Sequence, residues 1–189
     1  MPLVLPDLHL DLETDRGVFS RERVDPGTKL LLLEAPPPPA AGNLLDLGCG
    51  YGPLAVALAR RSPEATVWAV DVNRRAVALT AENARAAGLA NVAAVEPDDV
   101  PDGIRFAALW SNPPVRLGQA PLHGLLQRWL ARLAPGASAF LVVHKHLGAD
   151  SLARWLDGEG HPTRRLVSRM GYRILQVEGA AVAVDGPPA

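Results

Sequence analysis

The chain has 189 residues, 48% of them hydrophobic and 21% charged, with 19 Lys and Arg against 20 Asp and Glu for a net charge of -1. This composition excludes global disorder and a binder that coats nucleic acid by bulk electrostatics alone. The single cysteine excludes an internal disulfide, no Cys/His array has zinc spacing, and no apolar run reaches the roughly 18 residues of a membrane span.

In chain order, Met1-Pro2-Leu3-Val4-Leu5-Pro6-Asp7 carries neither the basic region nor the cleavage site of a secretory signal, so a cytoplasmic protein is expected. Leu8 to Glu13 alternates apolar and polar residues with period two, the pattern of a short half-exposed strand. Asp25-Pro26 followed by Thr28 to Glu34 reads as a helix with Asp25 as N-cap and Pro26 at its first position. Pro36-Pro37-Pro38-Pro39 stops that helix and makes a stiff connector. The expected division is an N-terminal strand and helix over 1–35, packing on or capping the site, and a main domain over 36–179.

From Asn43 onward strand-like and helix-like runs alternate, with strands at 43–47, 66–71, 91–95, 105–110 and 138–143 and helices at 52–61, 73–87, 118–133 and 149–157. Such alternation marks βαβ units and a parallel sheet. Thr163 to Ser168 and Tyr172 to Val177 are separated only by Arg169-Met170-Gly171, which leaves room for a hairpin but none for a helical crossover. The sheet should therefore end with an antiparallel strand. Residues 180–189 read as a frayed tail.

Two turns carry the chemistry. The first, Asp46-Leu47-Gly48-Cys49-Gly50-Tyr51-Gly52, lies between the first strand and helix of the main domain, where an open α/β sheet binds its ligand. Its glycines let backbone approach a ligand closely. Pro53 occupies the third-glycine position of a dinucleotide fingerprint, and Asp46 would repel a pyrophosphate while suiting a ligand with an ammonium or sulfonium charge. Farther on, the strand ending in Asp71 brings a carboxylate 23 residues after Gly48, suited to a ribose diol, although Asp71-Val72-Asn73 also suits a helix cap. Asp98 and Asp99 follow the next strand, where either could meet an adenine amino group or simply shape a loop.

The second turn is Trp110-Ser111-Asn112-Pro113-Pro114-Val115. Pro113 keeps Asn112 out of helical geometry, and neither proline contributes an N–H. The result is a rigid pair of acceptors, the Asn112 side-chain oxygen and a backbone carbonyl, matched to a planar amino group on a base or a carboxamide. Hydrogen bonds that hold such an amine's protons turn its lone pair toward an electrophile. Arg116, Lys145 and the arginines from Arg164 to Arg173 are candidates for phosphate contacts, and the hairpin arginines suit edge-strand protection equally. His144 and His146 have no third partner, so no metal site is expected.

With these motifs the sequence resembles the class I S-adenosylmethionine-dependent methyltransferases. More narrowly, it resembles single-domain relatives of the bacterial small-subunit ribosomal RNA guanine-N2 methyltransferases, the methyltransferase small-domain family. The resemblance runs from Gly17-Val18-Phe19-Ser20 and Asp25-Pro26-Gly27-Thr28 through both turns to His144-Lys145-His146 and Gly171-Tyr172-Arg173-Ile174-Leu175. It implies an α/β Rossmann-like fold with a seven-stranded, mostly parallel sheet, a C-terminal antiparallel hairpin and helices on both faces. It assigns Asp46, Gly48 and Gly50 to the methionine part of S-adenosylmethionine, Asp71 to the ribose and Asp98 to the adenine, with Cys49, Val72 and Asn112 completing the cofactor contacts. Asn112, Pro113 and Pro114 would hold the target amine, and Val115, Arg116 and Lys145 the substrate around it.

The implied reaction is transfer of the sulfonium methyl to an exocyclic amine, needing no metal and leaving S-adenosylhomocysteine. The implied partner is ribosomal RNA or the small ribosomal subunit, with no membrane. Carboxamide and DNA adenine acceptors suit the same turn, and a non-catalytic cofactor-binding module is the alternative outside enzymes. Departures from the family pattern are Val115, where base-flipping relatives often have an aromatic, and Gln119, where lysine is common.

Overall fold

Burial with period two separates the faces of the central strand. In β3 (Ala41–Leu47), Leu44 enters one hydrophobic core, whereas Leu45 and Leu47 enter another on the opposite face. The computed structural model describes residues 1–15 and 23–179; Gly17-Val18-Phe19-Ser20 and the tail 180–189 lie outside the described residues. After β3 come α2 (Pro53–Arg61), β4 (Glu64–Val70), α3 (Arg74–Ala86), β5 (Val92–Val95), β6 (Phe106–Ser111), α4 (Gln119–Leu130), β7 (Leu133–His144), α5 (Ala149–Gly158), β8 (Thr163–Arg169) and β9 (Tyr172–Glu178).

The seven strands lie in the order β5-β4-β3-β6-β7-β9-β8. β3 to β7 pair in parallel, and β9 is antiparallel to both neighbours, β7 and β8. This is the mostly parallel sheet with a terminal hairpin expected from the sequence. One core packs α2 and α3 against the sheet through Leu54, Leu58 and Leu79. The other packs α4 and α5 through Leu126, Trp129 and Leu156. Two layers of helices thus bury both faces, as a parallel sheet requires.

The N-terminal part adds a two-stranded sheet of β1 (Pro2–Val4) and β2 (His9–Asp11). The expected strand over Leu8 to Glu13 shortens to β2, and its partner β1 was not anticipated, because three residues beside prolines show no readable period. Helix α1 (Pro26–Glu34) starts as expected, with the Asp25 carboxylate accepting from the Thr28 N–H at 3.0 Å. Its Leu30, Leu31 and Leu32 join the core that contains Leu44, Val56 and Phe140. Asp7 anchors the β1–β2 sheet to α2 through a paired contact with Arg61, at 2.7 and 2.9 Å.

Candidate functional site

The chain leaves β3 toward β4 and β5 on one side and returns to β6 on the other, so the strand ends part between β3 and β6. A cavity of about 980 Å³ opens there, bounded by the glycine loop after β3, the end of β4 and the Asn-Pro-Pro turn after β6.

Backbone and side-chain bonds fix the glycine loop. The Gly48 and Cys49 N–H groups donate to the Val70 carbonyl at 2.8 and 3.1 Å. The Gly50 N–H donates to Asp71 Oδ2 at 3.0 Å, and the Thr80 hydroxyl to the Gly50 carbonyl at 3.1 Å. Asn83 Nδ2 donates to the Tyr51 and Glu13 carbonyls at 2.8 and 2.9 Å, which ties α3 to both the loop and the N-terminal segment. Gly48 has φ +76°, and a Cβ added to it would meet nothing within 4 Å. Bare backbone therefore faces the cavity, as close approach of a ligand requires.

Asp71 stands at the mouth of β4 with both oxygens in use, Oδ2 by Gly50 and Oδ1 by the Asn73 N–H at 2.9 Å. Asn73 caps α3 by accepting from the Arg75 N–H at 3.0 Å, so the cap and the candidate ribose acceptor are different residues. Each Asp71 oxygen keeps a further lone pair for a diol.

Asp46 lies elsewhere. The pleat turns its side chain to the α2 face, where it is fully buried and does not line the cavity. Oδ2 accepts from the Ala55 N–H at 2.9 Å. Gly52 begins α2 with no side-chain cap, and Asp46 satisfies that helix end from outside. Oδ1 has no partner. Burial, with the Asp71 charge adding to it, pushes the Asp46 carboxyl up to about 8. Cys49 is also buried, and burial raises its thiol well above 9.0.

β6 ends at Ser111, whose hydroxyl donates to the Leu47 carbonyl at 2.7 Å and locks the two strand ends together. Asn112 follows at the cavity wall. Its Nδ2 donates to Asp25 Oδ1 at 2.8 Å and to Thr28 Oγ1 at 3.0 Å. The N–H groups that the two prolines lack come from beyond them, Val115 donating to the Pro113 carbonyl at 2.8 Å and Leu117 to the Pro114 carbonyl at 3.0 Å.

The structure thus gathers Gly48, Cys49, Gly50, Asp71, Val72, Asn112, Pro113, Pro114, Val115 and Arg116 around one cavity. Asp46, Lys145 and Asp98 are not at its wall, nor are Asp99 and the hairpin arginines. Asp46 is buried, the exposed Lys145 is absent from the lining, and the Asp98 carboxylate points to Arg128 at 2.9 Å while its neighbour Pro97 lines the cavity. Sequence reasoning missed Asp25 and Thr28, read only as the start of a helix, and the wall of His144 and Tyr172, whose rings meet edge to face at 5.1 Å. Among the described residues, no group of three or more His, Cys, Asp or Glu could hold a metal, and no helix is long and apolar enough to cross a membrane.

The model of the methyltransferase small domain matches residues 9–176. The chain belongs to that family. Within reach of the family are an uncharacterised Bacillus subtilis protein, YbxB, 33% identical over 168 residues that cover 87% of this chain and 84% of YbxB. Ribosomal RNA small subunit methyltransferase C of Pseudomonas aeruginosa is 38% identical over 181 residues, covering 91% of this chain and 52% of the relative. This family member therefore spans about half the length of that ribosomal RNA methyltransferase. A 16S rRNA guanine-N2 methyltransferase of T. thermophilus, solved with AdoMet and guanosine, superposes with TM-score 0.82 at 26% identity, covering 94% of this chain and 49% of that one. A methyltransferase from Pyrococcus furiosus, at TM-score 0.71 and 17% identity, covers 92% of this chain and 90% of its own and shares the fold.

Proposed function

We propose that this chain is an S-adenosylmethionine-dependent methyltransferase whose acceptor is an exocyclic amine, guanine N2 of ribosomal RNA. The observation that carries the reading is Asn112. Its amide nitrogen is bound to the protein and its Oδ1 has no partner among the described residues, on a proline-stiffened turn that shares a cavity with the glycine loop. Bare backbone at Gly48, the Asp71 carboxylate and a cavity of about 980 Å³ fit an adenosyl amino acid. The similarity to ribosomal RNA small subunit methyltransferase C and to the AdoMet and guanosine complex supports the cofactor and the base.

When bound, S-adenosylmethionine supplies an electrophilic methyl on a sulfonium sulfur and leaves as S-adenosylhomocysteine. Gly48 and Gly50 present backbone to its amino-acid end, and Asp71 accepts from its ribose. Asn112 Oδ1 accepts an N–H of the target amine, and the Pro113 carbonyl keeps a lone pair for the second. Holding both protons directs the nitrogen lone pair toward the methyl carbon. The N–C bond forms as the S–C bond breaks, and the surplus proton passes to solvent. Val115 and Arg116 at the rim, with Lys145 outside it, receive the surrounding RNA, and Asp25 and Thr28 at the head of α1 close one side of the site.

The test is transfer of labelled methyl to undermethylated small ribosomal subunits, free RNA, DNA and cell protein, followed by nucleoside and amino-acid mass spectrometry. N2-methylguanosine is the expected product, and Asn112→Ala should abolish it while leaving cofactor affinity within about threefold. Label in adenine or glutamine would replace the substrate, and no label despite cofactor binding would refute the activity.

A further inference from the structure

We propose that Asp25 and Thr28 are positioning residues that fix the chemical sense of Asn112, an inference that rests on the amine acceptor proposed above. A side-chain amide offers two donors at one end and an acceptor at the other, and only the acceptor end serves a target amine. Two groups decide which end faces the cavity. Asp25 Oδ1 lies 2.8 Å and Thr28 Oγ1 3.0 Å from Asn112 Nδ2. An ionised carboxylate accepts and never donates, so the nitrogen end must face α1 and Oδ1 must face away from it. Both amide protons are spent on these two contacts, and none remains to compete for the incoming amine.

The first turn of α1 is held for this task. The Asp25 carboxylate is itself fixed by the Thr28 N–H at 3.0 Å. Thr28 is buried, at 5% exposure. Below them Gly27 packs so tightly that an added Cβ would stand 2.7 Å from Tyr172 Cε1, so β9 sets the height of the helix end. A negative charge on the donor side of the amide also strengthens its carbonyl oxygen as an acceptor, because hydrogen bonds in a chain polarise one another. The head of α1 and the β6 turn therefore meet at the Asn112 amide nitrogen, with Tyr172 of β9 packed against the helix end.

Thr28→Val tests this with least disturbance, since it keeps the volume and the backbone N–H on Asp25 and removes only the hydroxyl. Three readouts are needed: side-chain amide NMR, with the Asn112 pair assigned by its loss in Asn112→Ala; single-turnover methyl transfer to undermethylated small ribosomal subunits; and titration with S-adenosylmethionine. In the unsubstituted protein the Asn112 protons should exchange slowly. Thr28→Val should shift the pair and speed its exchange, lower the transfer rate at least tenfold and leave cofactor affinity within about twofold, and Thr28→Ser should recover most of the rate. An amide pair unmoved by Thr28→Val overturns the proposal, as does a shifted pair with an unchanged rate. If the unsubstituted protein methylates no RNA, the proposed function falls. The spectra then decide the clamp alone, a shifted pair upholding it and an unmoved pair overturning it.

Discussion

Replacing Asp46 by Asn should make the protein more stable at neutral pH and no more stable in acid. Burial takes this carboxyl out of water, and the single bond from the Ala55 N–H offsets that only in part, so its value rises from 3.8 to about 8. In the unfolded chain it returns to the ordinary carboxylate value. Below pH 4 both states hold the proton, and the stability associated with the neutral group is fully present. Between about pH 4 and 8 the unfolded state gives up its proton while the folded state keeps it, so stability falls by about 1.4 kcal/mol per pH unit. Across the window the loss is on the order of 5 kcal/mol, after which both states are ionised and the slope vanishes.

Asn carries no proton to lose, and its carbonyl can still accept from Ala55. Its amide group inherits the unpartnered place of Oδ1, at a cost of about 1–3 kcal/mol that a protonated Asp46 largely shares. The difference between the two proteins should therefore be near zero at pH 4 and reach several kcal/mol in favour of Asp46→Asn at pH 8. Urea melts of both proteins from pH 4 to 8.5 measure it, and other titrating groups cancel in the subtraction. A flat difference curve, or an Asp46→Asn protein less stable than the parent at pH 8, would show that the buried group is charged and refute the reasoning.

Asp71→Ala frees the Gly50 and Asn73 N–H groups and removes the carboxylate proposed to hold the ribose; S-adenosylmethionine affinity by calorimetry should fall at least tenfold, and a change under twofold would remove Asp71 from the site. Gly52→Ala sets a Cβ 2.8 Å from Thr80 Cγ2 and 2.9 Å from Oγ1 at φ +89°, against a side chain that is itself fully buried. Left-handed strain and overpacking together cost about 2–4 kcal/mol in a urea melt, and a loss below about 0.5 kcal/mol would mean that the loop yields freely. Cys49, buried with its thiol raised, should resist iodoacetamide at pH 8 in the folded protein and react fully in urea, with mass spectrometry counting the adduct; rapid labelling of folded protein would contradict its burial.

What the sequence disclosed was what neighbouring residues decide. The alternation of strand-like and helix-like runs from Asn43 onward, the short Arg169-Met170-Gly171 link before β9, and Asp25 with Pro26 at the head of α1 are local signals, and each forms as expected. The two turns were legible for the same reason, since prolines and glycines restrict the backbone wherever they stand. The misplaced side chains depend on distant partners. Asp46 was read by its closeness in sequence to the glycines, yet strand periodicity sends it to α2. Asp98 follows the right strand, but its carboxylate finds Arg128 on α4. Asp25 was read as a cap, and its second partner, Asn112, is 87 residues away.

That last pairing also explains how one cavity serves two demands. On the proposed function, the cofactor half is the glycine loop and the Asp71 carboxylate, its loop N–H groups spent within the protein and its backbone braced from behind by Thr80 and Asn83 on α3. The acceptor half must aim one atom, and aim is lost through small displacements, about 1 Å being enough to cost a hundredfold in rate. There the chain uses a proline-stiffened turn, a strand-end bond from Ser111 to Leu47 and two side-chain acceptors from α1. On the proposed function, the cofactor half of the crevice leans on α3 and the acceptor half on the head of α1.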